Sequence, residues 1–219
     1  MSAKKPCSVV VLISGSGSNL QALLNHFQDN DSVTISAVIS NKADAFGLQR
    51  AAQAGVPTQV LSHRDYTDRL AFDQALIQVI DQYQPDLVVL AGFMRILTPE
   101  FTQHYQQRLM NIHPSLLPKY KGLDTHQRAL EAGDTEHGCS VHFVTEHLDG
   151  GPVIIQASTA IEADDSVDSL TQKVHQLEHQ IYPLAVQWFA EGRLQLANNT
   201  VVLDGHVLSN TGYPFNPSS

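Results

Sequence analysis

The sequence predicts an α/β fold, a doubly wound and mostly parallel twisted sheet, in a single domain covering residues 1–219. Three observations predict it. Short β-branched runs alternate along the chain with segments of helical spacing, as in a series of βαβ units. The runs are apolar, as strands covered on both faces require. The 219 residues show no internal repeat, low-complexity tract or obvious linker, and this length suits one domain, or two small ones, with a sizeable core.

Ser8–Ile13 is the first such run. Ser14-Gly15-Ser16-Gly17-Ser18-Asn19 follows, and Leu20, Leu23, Leu24 and Phe27 then fall at helical spacing. A strand, a glycine-rich turn and a helix start form an anion-binding arrangement, because glycines let the backbone curl and N–H groups at the helix start face the ligand. A tight turn with Ser18 or Asn19 as helix N-cap accounts for the same residues. Two named motifs fail. The dinucleotide fingerprint needs glycine where Leu20 stands, and a Walker A loop needs Gly-Lys-Ser/Thr.

Val33–Ile39 reads as strand two, followed by a polar loop at Ser40–Asp44. Ala45–Ala54 reads as a helix stopped by Gly55, and Pro57–Leu61 as strand three. Tyr66–Tyr83 has helical spacing at Leu70, Leu76, Ile77 and Ile80, and Asp86–Leu90 is strand four. Ligands of such sheets bind beyond the carboxyl ends of the strands, where strand order reverses. The glycine loop after strand one and Gly92-Phe93-Met94-Arg95 after strand four both fall on that edge.

Thr98-Pro99-Glu100 reads as a helix start with proline at its first position. Leu109-Met110 is a short strand delivering Asn111 to a loop. Thr125–Ala132 is a helix ended by Gly133. Cys139–Val144 alternates as a strand, with Ser140, His142 and Val144 on one face. Leu148-Asp149-Gly150-Gly151-Pro152 is a sharp turn before another strand from Val153. Ser166–Glu191 is one long helix bearing Glu178, with a kink expected at Pro183. Val201–Leu208 is a hairpin turning at Asp204-Gly205, and the tail from Asn210 is expected to be loose.

Composition narrows the function. The net charge of -9 sets the chain against non-specific binding to nucleic acid or anionic membrane. An anionic substrate would need a locally positive or amide-lined site. Two cysteines, Cys7 and Cys139, without a C-x-x-C pair point to a reducing compartment. The run Val9–Ile13 is too short for a signal or membrane segment. A cytoplasmic protein is expected.

Chemistry concentrates in Asn111-Ile112-His113-Pro114-Ser115-Leu116-Leu117-Pro118. On an extended backbone Asn111 and His113 point the same way. An amide NH2 and a protonated imidazole are both donors, and two converging donors suit an oxygen that gains negative charge during a reaction. The two prolines restrict the flanking backbone. A local hydrogen bond from a lone Asn-x-His is the plainer reading. Asp149 likewise reads as a functional carboxylate or as a turn-forming Asp before glycine.

Three stretches taken together resemble a family. They are Ser14-Gly-Ser-Gly-Ser-Asn-Leu20, then Leu90-Ala-Gly-Phe-Met-Arg-Ile-Leu97 with Asn111–Pro118, then Gly138-Cys-Ser-Val-His-Phe-Val144 with Leu148–Pro152. The chain is similar to the folate-dependent glycinamide ribonucleotide formyltransferases of purine synthesis, from strand one to the end of the long helix. The resemblance implies a Rossmann-like formyltransferase fold. It implies 10-formyltetrahydrofolate as co-substrate, the amine of phosphoribosyl-glycinamide as acceptor, and no metal. The N-terminal half would bind the ribonucleotide phosphate, and the C-terminal half the folate and the reacting groups. Gly17, Ser18 and Asn19 would hold the phosphate, and Glu178 would contact the same substrate. Asn111, His113 and Asp149 would be catalytic. Arg69, Met94, Arg95, Ile96, Leu97 and Asn111 would contact folate. Ser16 stands where Asn is frequent in the family, and Asp124 where His is frequent, so position 124 is given no role. A monomer or homodimer without nucleic-acid or membrane partners is expected.

The reaction fits these residues. An amine attacks the formyl carbon, and Asn111 and His113 donate to the resulting oxyanion. Asp149 either keeps His113 charged or moves the proton through a water. His126, His137 and His142 lack zinc-ligand spacing. His142 lies on a strand face able to reach the site. A methionyl-tRNA formyltransferase would normally add a C-terminal domain and a basic surface. A formyltetrahydrofolate deformylase would usually add an N-terminal domain, for which no room is expected before Val9. A non-catalytic nucleotide-binding module is the third rival.

Overall fold

A computed structural model describes residues 5–216. The chain divides into two compact units, Met1–Met110 and Asn111–Ser219.

The first unit alternates strand and helix: β1 (Cys7–Ile13), α1 (Ser18–Phe27), β2 (Val33–Ser40), α2 (Gly47–Gln53), β3 (Thr58–Val60), α3 (Arg69–Asp81), β4 (Leu87–Leu90) and α4 (Pro99–His104). β1 is buried along its whole length, as an apolar strand inside a parallel sheet must be. It pairs in parallel with β2 on one side and β4 on the other, and β2 pairs in parallel with β3. The chain therefore moves outward from β1 to β3 and returns to β4 on the opposite side. Strand order reverses between β1 and β4, where the sequence places its two candidate loops. α1 buries Leu20, Leu23, Leu24 and Phe27, a stripe at i, i+3, i+4 and i+7.

Helix starts follow their caps. The spacing suggested a helix from Tyr66, but α3 begins at Arg69 because the Asp68 carboxylate accepts the Ala71 N–H at 2.8 Å. Thr98 caps α4 and Pro99 takes its first position, as expected. Gly17, at φ 71°, occupies the N-cap of α1 rather than Ser18 or Asn19.

β5 (Leu109–His113) leads into the second unit. There follow α5 (Thr125–Ala132), β6 (Glu136–Phe143), β7 (Val153–Ala160), α6 (Val167–Ala190), β8 (Leu194–Ala197), β9 (Thr200–Leu203), β10 (His206–Val207) and β11 (Tyr213–Phe215). β6 and β7 are antiparallel, and α6 packs on both. The hairpin at Asp204-Gly205 forms between β9 and β10, and β8 adds a third strand that the sequence did not announce. Two expectations are corrected. The tail is not loose throughout, because Tyr213–Phe215 pairs in parallel with Ile155–Ala157 of β7. Asn111 and His113 belong to a strand rather than a loop.

The α/β class with a mostly parallel sheet is as the sequence predicts. Among the described residues no helix is long and apolar enough to cross a membrane.

Candidate active site

The end of β5 carries the expected polar residues. His113 is 6% exposed, and both of its ring nitrogens are engaged. Nε2 lies 2.8 Å from the Tyr120 carbonyl. A carbonyl only accepts, so Nε2 carries a proton and donates. Nδ1 faces the Asp149 carboxylate, 3.4 Å from Oδ2. Asp149 has φ 45°, and its Oδ2 also accepts the Gly122 N–H at 2.9 Å. A turn-forming conformation thus aims the Asp149 carboxylate at His113.

His142 is the fourth member. Its Nδ1 donates to the carbonyl of Phe143 at 2.9 Å. Burial pushes its pKa down to about 4, so the ring is neutral near pH 7 and Nε2 is a lone pair. That lone pair accepts one N–H of the Asn111 amide at 3.2 Å. The same nitrogen is 3.8 Å from Asp149 Oδ1. Two acceptors facing each other form no hydrogen bond, so Asn111 is the partner of this nitrogen.

Ser140 shares the β6 face with His142 and fastens the proline loop. Its hydroxyl donates to the Ser115 carbonyl at 2.6 Å and accepts the Leu117 N–H at 3.1 Å. The Gln156 amide donates to the Leu117 carbonyl at 2.8 Å and to Ser140 Oγ at 2.9 Å. Sequence alternation put Ser140 and His142 together but held no signal of what that face meets. Gln156 carried no signal at all.

In the first unit the glycine loop packs backbone against backbone. A Cβ on Gly17 would lie 2.6 Å from the Gly47 Cα, and Gly47 N–H donates to the Gly15 carbonyl at 3.0 Å. Arg50, which sequence reasoning missed, braces the loop through Nε to the Ser16 carbonyl at 2.9 Å. The helix that starts at Ser18 has first-turn N–H groups without intrahelical acceptors.

The segment after β4 is held at both ends. Met94 N–H donates to Ser14 Oγ at 2.8 Å, and that hydroxyl donates to Asn41 Oδ1 at 2.6 Å. Thr98 N–H donates to Asp73 Oδ2 at 2.6 Å. Between these anchors Met94 and Ile96 are exposed at 62% and 57%, while Leu97 is buried. Arg69 is exposed and Arg95 half-buried. Glu178 lies on the buried face of α6. Burial, and then the charge of Glu178, push the Cys139 thiol of β6 up.

Residues 7–186 match the formyl transferase family. The chain belongs to that family. Over 207 residues it is 58% identical to the phosphoribosylglycinamide formyltransferase of Escherichia coli (strain K12), covering 94% of this chain and 98% of that one. It is 47% identical to the human trifunctional purine biosynthetic protein adenosine-3, over 90% of this chain and 20% of that one. The solved phosphoribosylglycinamide formyltransferase of Coxiella burnetii superposes with a TM-score of 0.93 at 53% identity, covering 96% of this chain and all of that one. The resemblance drawn from three short stretches to the glycinamide ribonucleotide formyltransferases thus holds over most of this chain. Among the described residues no group of three or more His, Cys, Asp or Glu is arranged to hold a metal ion.

Proposed function

We propose that this formyl transferase moves the formyl group of 10-formyltetrahydrofolate to the amine of N1-(5-phosphoribosyl)glycinamide, a step of de novo purine (IMP) biosynthesis. The observation that carries the reading is the cluster of Asn111, His113 and Asp149, which meet at His142 and at the His113 ring.

The neutral amine attacks the formyl carbon and the carbonyl oxygen becomes an oxyanion. Asn111 has two amide N–H groups. His142 takes one, and the other is left for the oxyanion. His113 meets the reaction with its Nδ1 side, because Tyr120 holds Nε2. In the imidazolium form Nδ1–H is shared between Asp149 and the oxyanion. The 3.4 Å separation from Asp149 is long for a charge-assisted hydrogen bond, and such bonds tighten in the reacting complex. The attacking nitrogen must then lose a proton, and the folate nitrogen must gain one to leave. Asp149, through His113 or a water, is the carboxylate placed to support that transfer.

Gly17, Ser18 and Asn19 bind the phosphate at the start of α1. Arg69, Met94, Arg95, Ile96, Leu97 and Asn111 contact the folate, and Glu178 contacts the ribonucleotide. The test is turnover of 10-formyltetrahydrofolate with and without the ribonucleotide. Turnover that depends on the ribonucleotide is expected. Turnover without it would identify a hydrolase, and no turnover would leave a binding module.

A further inference from the structure

Arg50 carries a charge that no carboxylate of the described residues balances. It lies on α2, one turn after Gly47, and is half-buried. Its Nε donates to the Ser16 carbonyl at 2.9 Å, and its Nη1 donates to Gln21 Oε1 of α1 at 3.1 Å. Its guanidinium stands 4.9 Å from the centroid of the Phe46 ring. All three partners are neutral, and among the described residues Arg50 joins no ion pair. The guanidinium thus spans the start of α1 from Ser16 to Gln21, beside the positive end of a helix dipole, in a chain of net charge -9. Two positive features side by side repel each other, and an anion between them is attracted by both.

The same contacts turn the loop. In a trans peptide the C=O and the N–H that follows it point opposite ways. Gly47 N–H donates to the Gly15 carbonyl and Arg50 Nε to the Ser16 carbonyl, so both carbonyls face α2. The Ser16 and Gly17 N–H groups then face away from it, and among the described residues neither has an acceptor. The Arg50 stem lies along the loop, with Cδ 3.5 Å from where a Gly17 Cβ would stand. Successive N–H groups aimed one way form an anion-binding concavity.

We propose that Arg50 is a positioning residue for the phosphate of the ribonucleotide: through Ser16 it turns the loop N–H groups toward that phosphate, and its unbalanced charge favours an anion there. The inference rests on the proposed binding of phosphate at Gly17, Ser18 and Asn19.

Arg50→Met keeps much of the stem and removes the charge and both hydrogen bonds. Steady-state kinetics would compare it with the unaltered protein, using phosphoribosyl-glycinamide and the same acceptor without its phosphate. The KM for the phosphorylated acceptor should rise roughly tenfold, the loss expected for about one charge-assisted hydrogen bond. The kcat should stay within about twofold and the co-substrate KM should not change. The acceptor without phosphate should serve both proteins equally. Arg50→Lys, which keeps the charge but offers one ammonium in place of a fork, should recover part of the loss. An unchanged KM in Arg50→Met would overturn the proposal, and so would an equal rise for the acceptor without phosphate, which marks a merely structural role. If circular dichroism shows Arg50→Met unfolded, Arg50→Lys is read by the same criteria, with a rise of about threefold expected. Inorganic phosphate gives a readout that needs no turnover. An NMR titration should move the Gly17 amide signal at a lower phosphate concentration in the unaltered protein than in the variant, and equal titrations would overturn the proposal. Failure of the unaltered protein to use the ribonucleotide would overturn the functional reading alone, and the phosphate titration would then decide this inference.

Discussion

His142 keeps one ring nitrogen as a lone pair, and the orientation of Asn111 follows from it. With Nδ1–H donated to Phe143 and the pKa pushed down to about 4 by burial, the ring accepts from Asn111 at all pH values near neutral. His142→Leu should free the amide to rotate and lower kcat by roughly tenfold or more, with little change in either KM. His142→Gln, which returns an acceptor oxygen, should recover part of the loss. A Leu variant within about twofold of the unaltered protein would remove this role. Asp149 poses a different question, because it touches His113 through charge and Gly122 through a hydrogen bond. Asp149→Asn keeps the shape and removes the charge. If the carboxylate serves to keep His113 protonated, the loss in kcat should grow as pH rises. If it carries the proton itself, the loss should be equally deep at low pH. Profiles of kcat against pH for both proteins separate these cases, and superimposable profiles would exclude both.

Among the elements, α6 shows how a local rule supports a long-range structure. Ser166 accepts the Ser169 N–H at 3.1 Å, and Ser169 returns the bond to the Ser166 N–H at 2.9 Å. This closes a capping box at the start of a 24-residue helix. Ser166→Ala should cost about 1 kcal/mol. Urea denaturation should show a lower midpoint at constant slope; an unchanged midpoint would mean that packing on β6 and β7 alone holds the helix end. The glycine loop obeys a different rule. Gly17 is required by its positive φ and by the approach of Gly47, a contact between residues thirty apart that no local pattern announces. β11 is similar. Its Gly/Pro/Asn-rich surroundings read as a tail, yet the open edge of β7 accepts it, and Pro214 is tolerated because an edge strand can dispense with a donor.

For the molecule as a whole, histidine titration sets the acid limit. Burial, the first cause in each case, lowers His126 and His142 to about 4 and also lowers His137, His175 and His179. The native chain holds His126 and His142 neutral to about 4 and shifts the other three in the same direction, whereas the unfolded chain takes up protons below its ordinary value of about 6.5. Stability is therefore complete above that value and is lost as pH falls from it toward 4. Asp73, raised by burial, acts in the opposite sense, but it is one group against five. Asp165, lowered to about 2 by Lys173 first, withdraws stability only below the ordinary carboxylate range. Urea midpoints should fall between pH 7.5 and 5, by an equivalent of about 1–3 kcal/mol. A flat profile over that window would mean that these rings bind protons in the native state.

The sequence by itself determined the alternation of strand and helix, the helix starts at Thr98 and Ser166, the end of α5 at Gly133, and the family. These rest on short-range physics: apolar period, side-chain hydrogen bonds to nearby N–H groups, and motifs a few residues long. It also named Asn111, His113 and Asp149, which the fold brings into one cluster. Tertiary structure alone decided that His142 orients Asn111, that Tyr120 occupies one nitrogen of His113, and that Ser140 and Gln156 hold the proline loop. It also decided that Asp73 stands buried and holds the Thr98 N–H. Each of these depends on which face of a strand or helix is covered and by what, and on which tautomer the covered groups impose. Partners many residues apart set those facts, and an individual stretch of sequence does not carry them.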